Sequence, residues 1–156
     1  PYDAVFEMDC DFSHNPDDLL RLTAELEAGA DVAVGSRYSK GVTVVNWPMS
    51  RLLMSYCASR YVRIVTGMPV CDATAGFVGY KREVLAAIDF DRIEMVGYGF
   101  QIEMKYTAWK MGFRIGEVPI IFADRTEGTS KMSGGIFGEA FFGVLALPFR
   151  TIARKK

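Results

Sequence analysis

The sequence predicts an α/β fold in which a mostly parallel sheet is flanked by helices. Residues Ala4–Met8 form an apolar run that is typical of a short buried strand. The stretch "NPDD" (15–18) predicts the start of a helix, with Asn15 as its N-cap and Pro16 in the first helical position. A second strand is predicted over residues 31–35. A strand, a helix and a strand at this spacing form a parallel right-handed unit.

The rest of the chain continues the alternation of helices and strands. A long helix is predicted from Pro48 to Thr66, because proline is favoured at a helix start and Gly67 follows the end. The remaining elements are predicted as a strand at 75–80, a short helix at 81–88, a helix at 100–111, a strand at 113–123 whose Pro119 indicates an edge position or a bulge, and an apolar helix at 136–149.

Composition limits the class of protein. The chain has 156 residues, of which half are apolar and 24% charged, as expected for one globular domain with a core. Its three cysteines (Cys10, Cys57 and Cys71) form no CxxC pair, which argues against a disulfide framework or a structural zinc and favours a reducing compartment. A net charge of −1 argues against nucleic acid as a partner. Because the chain starts at Pro1 and its first strand begins almost at once, we expect it to be a piece of a longer protein.

The charges are distributed unevenly along the chain. Residues 1–31 hold nine acids and one base, whereas residues 32–71 hold five bases and no acid. One interpretation is that these are ordinary solvated faces. The other is a site for a cation beside a surface for an anion.

Two aspartates follow the first strand in the stretch "VFEMDCDFSHNP" (5–16). In an extended chain, residues i and i+2 point to the same side and lie about 6.6 Å apart. Asp9 and Asp11 held in this way both reach one divalent cation, at the carboxyl end of a strand where ligands bind in open α/β sheets. Helix capping explains the later polar residues but not this pair. The sequence therefore predicts a Mg²⁺ or Mn²⁺ site at Asp9 and Asp11, while His14, which is the only histidine, is expected on a surface loop.

A second candidate site is basic. Arg51 and Ser55 share a face in the first half of the predicted helix 48–66, where the helix dipole favours anions. Arg37 follows the second strand, at the same edge of the sheet. Two guanidinium groups and a hydroxyl suit a phosphate monoester, although surface arginines remain the plainer alternative.

The loop "DRTEGTSKM" (124–132) carries Arg125 and Lys131 among small, flexible residues. It lacks the spacing of a P-loop. A mobile basic lid that closes on phosphates is one interpretation, and a solvated loop is the other.

With these motifs in place, the chain resembles the dolichol-phosphate (polyprenol-phosphate) mannose synthases of glycosyltransferase family 2, which have the GT-A fold. The stretches that carry the resemblance are "MDCDFSHNP", "GADVAVGSRY", "NWPMSR", "DATAGFVGYKREVL", "GYGFQIEMKYTAWKMGFRIGEVPIIFADR" and "GTSKM". The resemblance implies a GT-A-type, Rossmann-like sheet that lacks its N-terminal nucleotide-binding strands. It divides the chain into residues 1–132, the C-terminal part of the transferase domain, and residues 133–156, an apolar helix with a basic tail.

The resemblance also implies roles for individual residues. Asp9 and Asp11 would hold the metal on the diphosphate of the donor, and Arg37, Arg51 and Ser55 would bind the acceptor phosphate. The catalytic set is Asp11, Arg125 and Lys131, and the donor or sugar contacts are Asp9, Asp11, Thr74, Gly76 and Glu103. Glu103 is alternatively a structural residue. Ser13 stands where some relatives have a glutamine that binds the metal, which leaves the third protein ligand open.

The expected activity is metal-dependent, inverting transfer of mannose from GDP-mannose to a polyprenyl (dolichyl) phosphate, with the 156 residues alone inactive. The alternatives are transfer of glucose or another sugar on the same scaffold, and a non-catalytic phosphate-binding module at a membrane. The protein is expected in the cytoplasm, peripheral on a membrane surface. Residues 136–149, followed by four cations, are too short to span a bilayer and are expected either in the membrane interface or as a core helix.

Overall fold

A computed structural model describes residues 2–124 and 134–155 and has the predicted α/β class. Its helices are α1 (Asp18–Glu27), α2 (Met49–Thr66), α3 (Arg82–Ala87), α4 (Tyr98–Lys110) and α5 (Gly134–Ala146). Its strands are β1 (Ala4–Glu7), β2 (Val32–Ser36), β3 (Val44–Val45), β4 (Val78–Lys81), β5 (Ile115–Pro119) and β6 (Phe122–Ala123). Short 3₁₀ turns cover Phe90–Arg92 and Leu147–Phe149.

The main sheet has the strand order β1-β4-β2-β5. Strand β4 is antiparallel to both of its neighbours, and β2 is parallel to β5, so three of the four strands point the same way. The predicted strand–helix–strand unit therefore has the expected parallel direction, but its two strands are separated by β4. The order of the strands along the chain does not predict this insertion. Gly79 accommodates it, because a β-carbon on Gly79 would meet the ring of Phe6.

Strand β1 is only half buried, which corrects the prediction of a buried strand. Phe6 packs toward the core beneath α1, whereas Val5 on the other face is half exposed. The difference arises because β1 pairs with β4 alone among the described strands and is covered on one side only.

The predicted strand 113–123 is two strands. Residues of β5 pair with β2, and β6 pairs with β3 in a separate two-stranded sheet. The chain changes partner just after Pro119, which has no N–H to continue a ladder. Pro119 lies at the end of β5, which borders β2 alone among the described strands, so the predicted edge position is confirmed.

The helix boundaries agree with the prediction for α2 and differ for α1. Helix α2 follows Pro48 and ends before Gly67, whose left-handed φ of 72° accounts for the glycine there. Helix α1 begins at Asp18 and its N-cap is Asp17, so the prediction of Asn15 as N-cap and Pro16 as the first helical residue is wrong. The N–H of Asp18 donates to the backbone oxygen of Asn15, which forms a turn ahead of the helix. Helix α5 ends at Ala146, before Pro148.

The register of β4 brings three loops to one edge of the sheet. Val78, the first residue of β4, lies opposite Glu7 at the end of β1 and opposite Val34 near the end of β2. The loop that enters β4 therefore lies beside the loops that leave β1 and β2. This edge carries nearly all of the described candidate residues.

Candidate active site

Asp9 and Asp11 lie in a bent loop rather than in an extended strand. Strand β1 ends at Glu7, and the chain turns sharply at Phe12, whose φ is +62°. The same-side strand geometry given as the reason for pairing the two aspartates is therefore wrong. Ser13, itself buried, donates from its backbone N (3.1 Å) and from its Oγ (2.5 Å) to Asp11 Oδ1. These two bonds fix the Asp11 carboxylate and give Ser13 a role that needs no direct contact with a metal.

Asp9 is exposed and lies against the loop before β4. A β-carbon placed on Gly76 would be 3.8 Å from Asp9 Oδ2. Two of the predicted donor contacts, Asp9 and Gly76, are thus neighbours. A side chain at position 76 would occupy the space beside the carboxylate.

His14 is buried, which corrects the expectation of a surface histidine. Its ring packs between Phe77 and Phe122, with centroid separations of 5.0 and 4.9 Å. Its Nε2 lies 3.8 Å from Asp9 Oδ2. The aromatic rings that enclose His14 come from distant parts of the chain, so its neighbours in sequence gave no sign of its burial.

Arg37 forms a buried ion pair with Asp72. Its Nε donates to Asp72 Oδ2 (2.7 Å), its Nη2 donates to Asp72 Oδ1 (2.6 Å), and its backbone N also donates to Oδ2 (2.9 Å). Nη2 further donates to Thr74 Oγ1 at 2.9 Å. Burial alone would lower the pKa of Arg37, but the hydrogen bonds and charge of Asp72 outweigh it and raise that pKa. The arginine is therefore held as a cation in one orientation.

Arg51 and Ser55 are joined to Arg37 by two aromatic side chains. The guanidinium carbon of Arg51 lies 4.0 Å from the ring centre of Trp47, and that of Arg37 lies 5.5 Å from the same ring. Tyr38 contacts Arg37 at 5.3 Å and donates its hydroxyl to Ser55 Oγ at 2.8 Å. The three residues predicted to bind the acceptor phosphate thus form one cluster around Trp47 and Tyr38.

The predicted basic lid begins next to this cluster. Arg51 Nη1 donates to Asp124 Oδ1 at 2.6 Å, and the backbone N of Asp124 donates to Val45 O. Arg125 and Lys131 lie outside the described residues, so their roles stay predictions.

Glu103 is used within the protein. Its Oε2 accepts the backbone N–H groups of Glu94 (3.0 Å) and Met95 (2.8 Å), and its Oε1 lies 3.6 Å from Arg150 Nη1. The carboxylate is buried. This arrangement favours the structural alternative for Glu103 over a contact with sugar.

Sequence reasoning missed Asp72, Trp47 and Tyr38. The acid-free stretch 32–71 ends one residue before Asp72, the acid that pairs with Arg37. A buried arginine needs a carboxylate partner, and Asp72 in "CDATAG" is the first acid after that stretch. Tyr38 and Trp47 carry no charge pattern and could be found only from the fold.

The residues present fit a divalent ion shared with a substrate. Among residues 2–124 and 134–155, no group of three His, Cys, Asp or Glu side chains forms a metal site. Magnesium is commonly held by one or two carboxylates, with the other positions filled by water and substrate phosphates. Asp9 and Asp11 supply oxygen ligands of that kind at a solvent-accessible edge.

Comparison with known proteins agrees with the motifs. Residues 2–89 match the family model "Glycosyl transferase family 2". The chain is 48% identical over 143 residues to an undecaprenyl-phosphate mannosyltransferase of Micrococcus luteus, covering 92% of this chain and 58% of that protein. It is 48% identical over 143 residues to a polyprenol monophosphomannose synthase of Mycolicibacterium smegmatis, covering 92% and 54%. A dolichol-phosphate mannosyltransferase of Pyrococcus furiosus is 34% identical over 134 residues, covering 85% and 37%.

The chain thus spans little more than half the length of the first two relatives. The family match covers more than half of the chain, and the relatives align with nearly all of it. The resemblance to polyprenol-phosphate mannose synthases and the GT-A-type fold class are therefore confirmed. The chain belongs to glycosyltransferase family 2.

Proposed function

We propose that the full-length protein transfers mannose from GDP-mannose to a polyprenyl phosphate, with inversion and with Mg²⁺ or Mn²⁺. The observation that carries the proposal is the meeting, at one sheet edge, of the Asp9–Asp11 loop with the Arg37, Arg51 and Ser55 cluster. The site then has two adjacent halves. The carboxylates suit a metal bound to the donor diphosphate, and the basic residues suit the acceptor phosphate. The relatives are named for undecaprenyl-phosphate, polyprenol and dolichol-phosphate substrates, which supports the same acceptor class.

The proposed chemistry needs no strong general base. A phosphate monoester has a second pKa of about 6 and is largely ionised at pH 7. One of its oxygens attacks the anomeric carbon, the bond from that carbon to the diphosphate oxygen breaks, and both electrons leave with the nucleoside diphosphate. The metal, when bound by Asp9 and Asp11, stabilises the charge on this leaving group. In-line attack inverts the anomeric carbon and gives a β-linked mannosyl phosphate.

The arginine cluster would reduce the repulsion between two anions, the acceptor phosphate and the donor diphosphate. Arg37 donates from Nε to Asp72 and from Nη2 to Asp72 and Thr74. Among the described contacts Nη1 donates to no group, so its N–H groups can bind a ligand. Arg51 stacks on Trp47 and is partly exposed, so its remaining N–H groups reach solvent. We assign these groups, with Ser55, to the acceptor phosphate. We also assign the donor contacts to Thr74 and Gly76, and we expect Arg125 and Lys131, which lie outside the described residues, to bind the phosphates.

Replacing Arg51 with alanine is expected to raise the KM for polyprenyl phosphate about 10- to 100-fold in the full-length protein, the loss of one or two hydrogen bonds to a charged group. The KM for GDP-mannose should change less than threefold. Steady-state kinetics with each substrate varied separately measure the difference. Arg60→Ala, an exposed arginine on the same helix, serves as the control and should change neither constant. Equal changes in both constants for Arg51→Ala would contradict the assignment.

The alternatives make different demands on the donor. In a competition assay, sugar transfer by a glucosyltransferase would be inhibited more strongly by UDP-glucose than by GDP-mannose. A non-catalytic module would bind polyprenyl phosphate without releasing any nucleoside diphosphate. Preferential competition by GDP-mannose, with product formed, separates the proposal from both.

We further propose that the protein is peripheral on the cytoplasmic face of a membrane. No described helix is both long and apolar enough to cross a bilayer. Helix α5 buries Val144, and the 3₁₀ turn after it buries Leu147, in a core shared with α2 and α4. Phe142 of α5 and Phe149 of the turn are exposed near a basic tail. An apolar face beside cations is typical of a helix that lies in the headgroup region.

Replacing Phe142 and Phe149 with serine is expected to reduce flotation with anionic liposomes at least about tenfold, because each phenylalanine contributes roughly 1.5–3 kcal/mol when it leaves water. These exposed residues are preferable to deletion of 136–156, which would also uncover the core. Leu20→Ser, which alters an exposed residue of α1, is the matched control. Unchanged flotation of the double variant would contradict membrane contact through α5.

A further inference from the structure

Lys105 is a fully buried lysine that the proposed chemistry does not use. It lies in the middle of α4, and its Nζ donates to the backbone oxygen of Ala75 at 2.7 Å. Ala75 belongs to the segment Asp72–Gly76, the loop before β4 that carries the Arg37 partner and two of the predicted donor contacts, Thr74 and Gly76. The lysine therefore contacts this loop from the side of α4.

A buried ammonium group is costly, and an apolar side chain would fill the same space without that cost. Desolvation lowers the pKa of Lys105 to about 7, and the charged groups that face it come from four different parts of the fold: Asp72, Glu7, Arg37 and Glu117. Helix α4 also buries Ile102, Met104 and Ala108, which supply its apolar packing. Core packing by α4 therefore does not explain why Lys105 is buried.

The hydrogen bond sets the direction of one peptide group. No cis peptide is present among the described residues, and in a trans peptide the C=O and N–H point in opposite directions. When Lys105 holds the Ala75 carbonyl toward α4, the N–H of Gly76 must point away from α4. A β-carbon on Gly76 would meet Asp9, so the residue borders the predicted metal-binding loop.

The other end of the segment is held by Glu117 of β5. Its two carboxylate oxygens accept the backbone N–H groups of Cys71 (2.8 Å) and Asp72 (3.0 Å). The segment is thus fixed at its start by the half-buried carboxylate of Glu117 and near its end by the buried Lys105. Between these points lie Asp72 and Thr74, which orient Arg37.

We propose that Lys105 is a positioning residue for the donor half of the site, holding the Ala75–Gly76 peptide so that the Gly76 N–H faces the sugar diphosphate. The inference rests on the proposed function and deepens it. Lys105 acts through the peptide that it orients and touches neither substrate.

The test uses the full-length protein with Lys105→Met, which removes the N–H donor but keeps an unbranched chain. The matched control is Lys110→Met, the same substitution at an exposed position of α4. Calorimetric binding of GDP with Mn²⁺ is measured first, and kinetics with each substrate varied follow. We expect Lys105→Met to weaken GDP binding and to lower kcat/KM for GDP-mannose about 10- to 100-fold, the usual effect of removing a group that orients a ligand-binding residue. The KM for polyprenyl phosphate should stay within about threefold, and Lys110→Met should match the wild type.

Lys105→Gln is the second variant, because glutamine keeps an N–H donor without the charge. Partial recovery of GDP binding relative to Lys105→Met supports positioning through the hydrogen bond. Unchanged GDP binding in Lys105→Met, or equal losses for donor and acceptor in both variants, overturns the proposal while leaving the proposed function intact. If the wild type itself binds no GDP, the donor assignment fails and this inference fails with it.

Discussion

Replacing Asp11 with asparagine is expected to abolish Mg²⁺- or Mn²⁺-dependent sugar transfer by the full-length protein, a loss of at least about 10³-fold in kcat. The substitution removes one of two anionic metal ligands. It should leave the fold intact, because the asparagine oxygen can still accept the two hydrogen bonds from Ser13. Transfer rates and Mn²⁺ affinity are measured on the same preparation.

Asp17→Asn provides the control for this experiment. Asp17 is an exposed carboxylate just before α1, six residues along the chain from Asp11. We expect wild-type transfer and Mn²⁺ affinity in that variant. Full activity in Asp11→Asn would remove the metal assignment, whereas lost activity with unchanged Mn²⁺ affinity would move Asp11 from metal binding to another role.

Replacing Asp72 with asparagine is expected to lower the free energy of unfolding by about 3–5 kcal/mol, because it leaves the buried Arg37 cation without its carboxylate. Asp72 is completely buried and accepts three hydrogen bonds from Arg37. Chemical denaturation of the full-length protein measures the change.

A weaker ion pair gives the matched control for Asp72. Lys81 Nζ lies 3.7 Å from Asp31 Oδ1, and both side chains are about one-third exposed. Lys81→Met should therefore cost less than about 1 kcal/mol. If Asp72→Asn costs no more than Lys81→Met, the Arg37–Asp72 pair is not the element that holds this edge of the sheet together.

Local signals in the sequence predicted the elements that they border. Pro48 and Gly67 bracket α2 because both act on their own backbone, proline at a helix start and glycine in a left-handed end. The place of β4 between β1 and β2 depends on pairing across more than 40 residues, and no local pattern encodes it. The prediction of strand 113–123 failed for a similar reason, since its second half pairs with β3, a strand of two residues.

The candidate site was predicted where residue type alone indicates chemistry. Asp9, Asp11, Arg37 and Arg51 have charges that suggest a ligand, and the fold brings them to one edge, although the loop around Phe12 is bent rather than extended. The buried charged residues beside them were missed because burial depends on position in the fold. Asp72 and Lys105 look like ordinary surface charges in the sequence and prove to be buried.

We propose that the acceptor is a phosphate monoester, which Arg37, Arg51 and Ser55 bind and which attacks without a general base. The measurement that tests it most directly compares polyprenyl phosphate with the corresponding polyprenol as acceptors for GDP-mannose, using the full-length protein. An alcohol has no ionised oxygen near pH 7 and would need a base, and it offers no anion to the two arginines. We expect mannosyl transfer to the phosphate and none detectable to the alcohol. Transfer to both at comparable rates would contradict it.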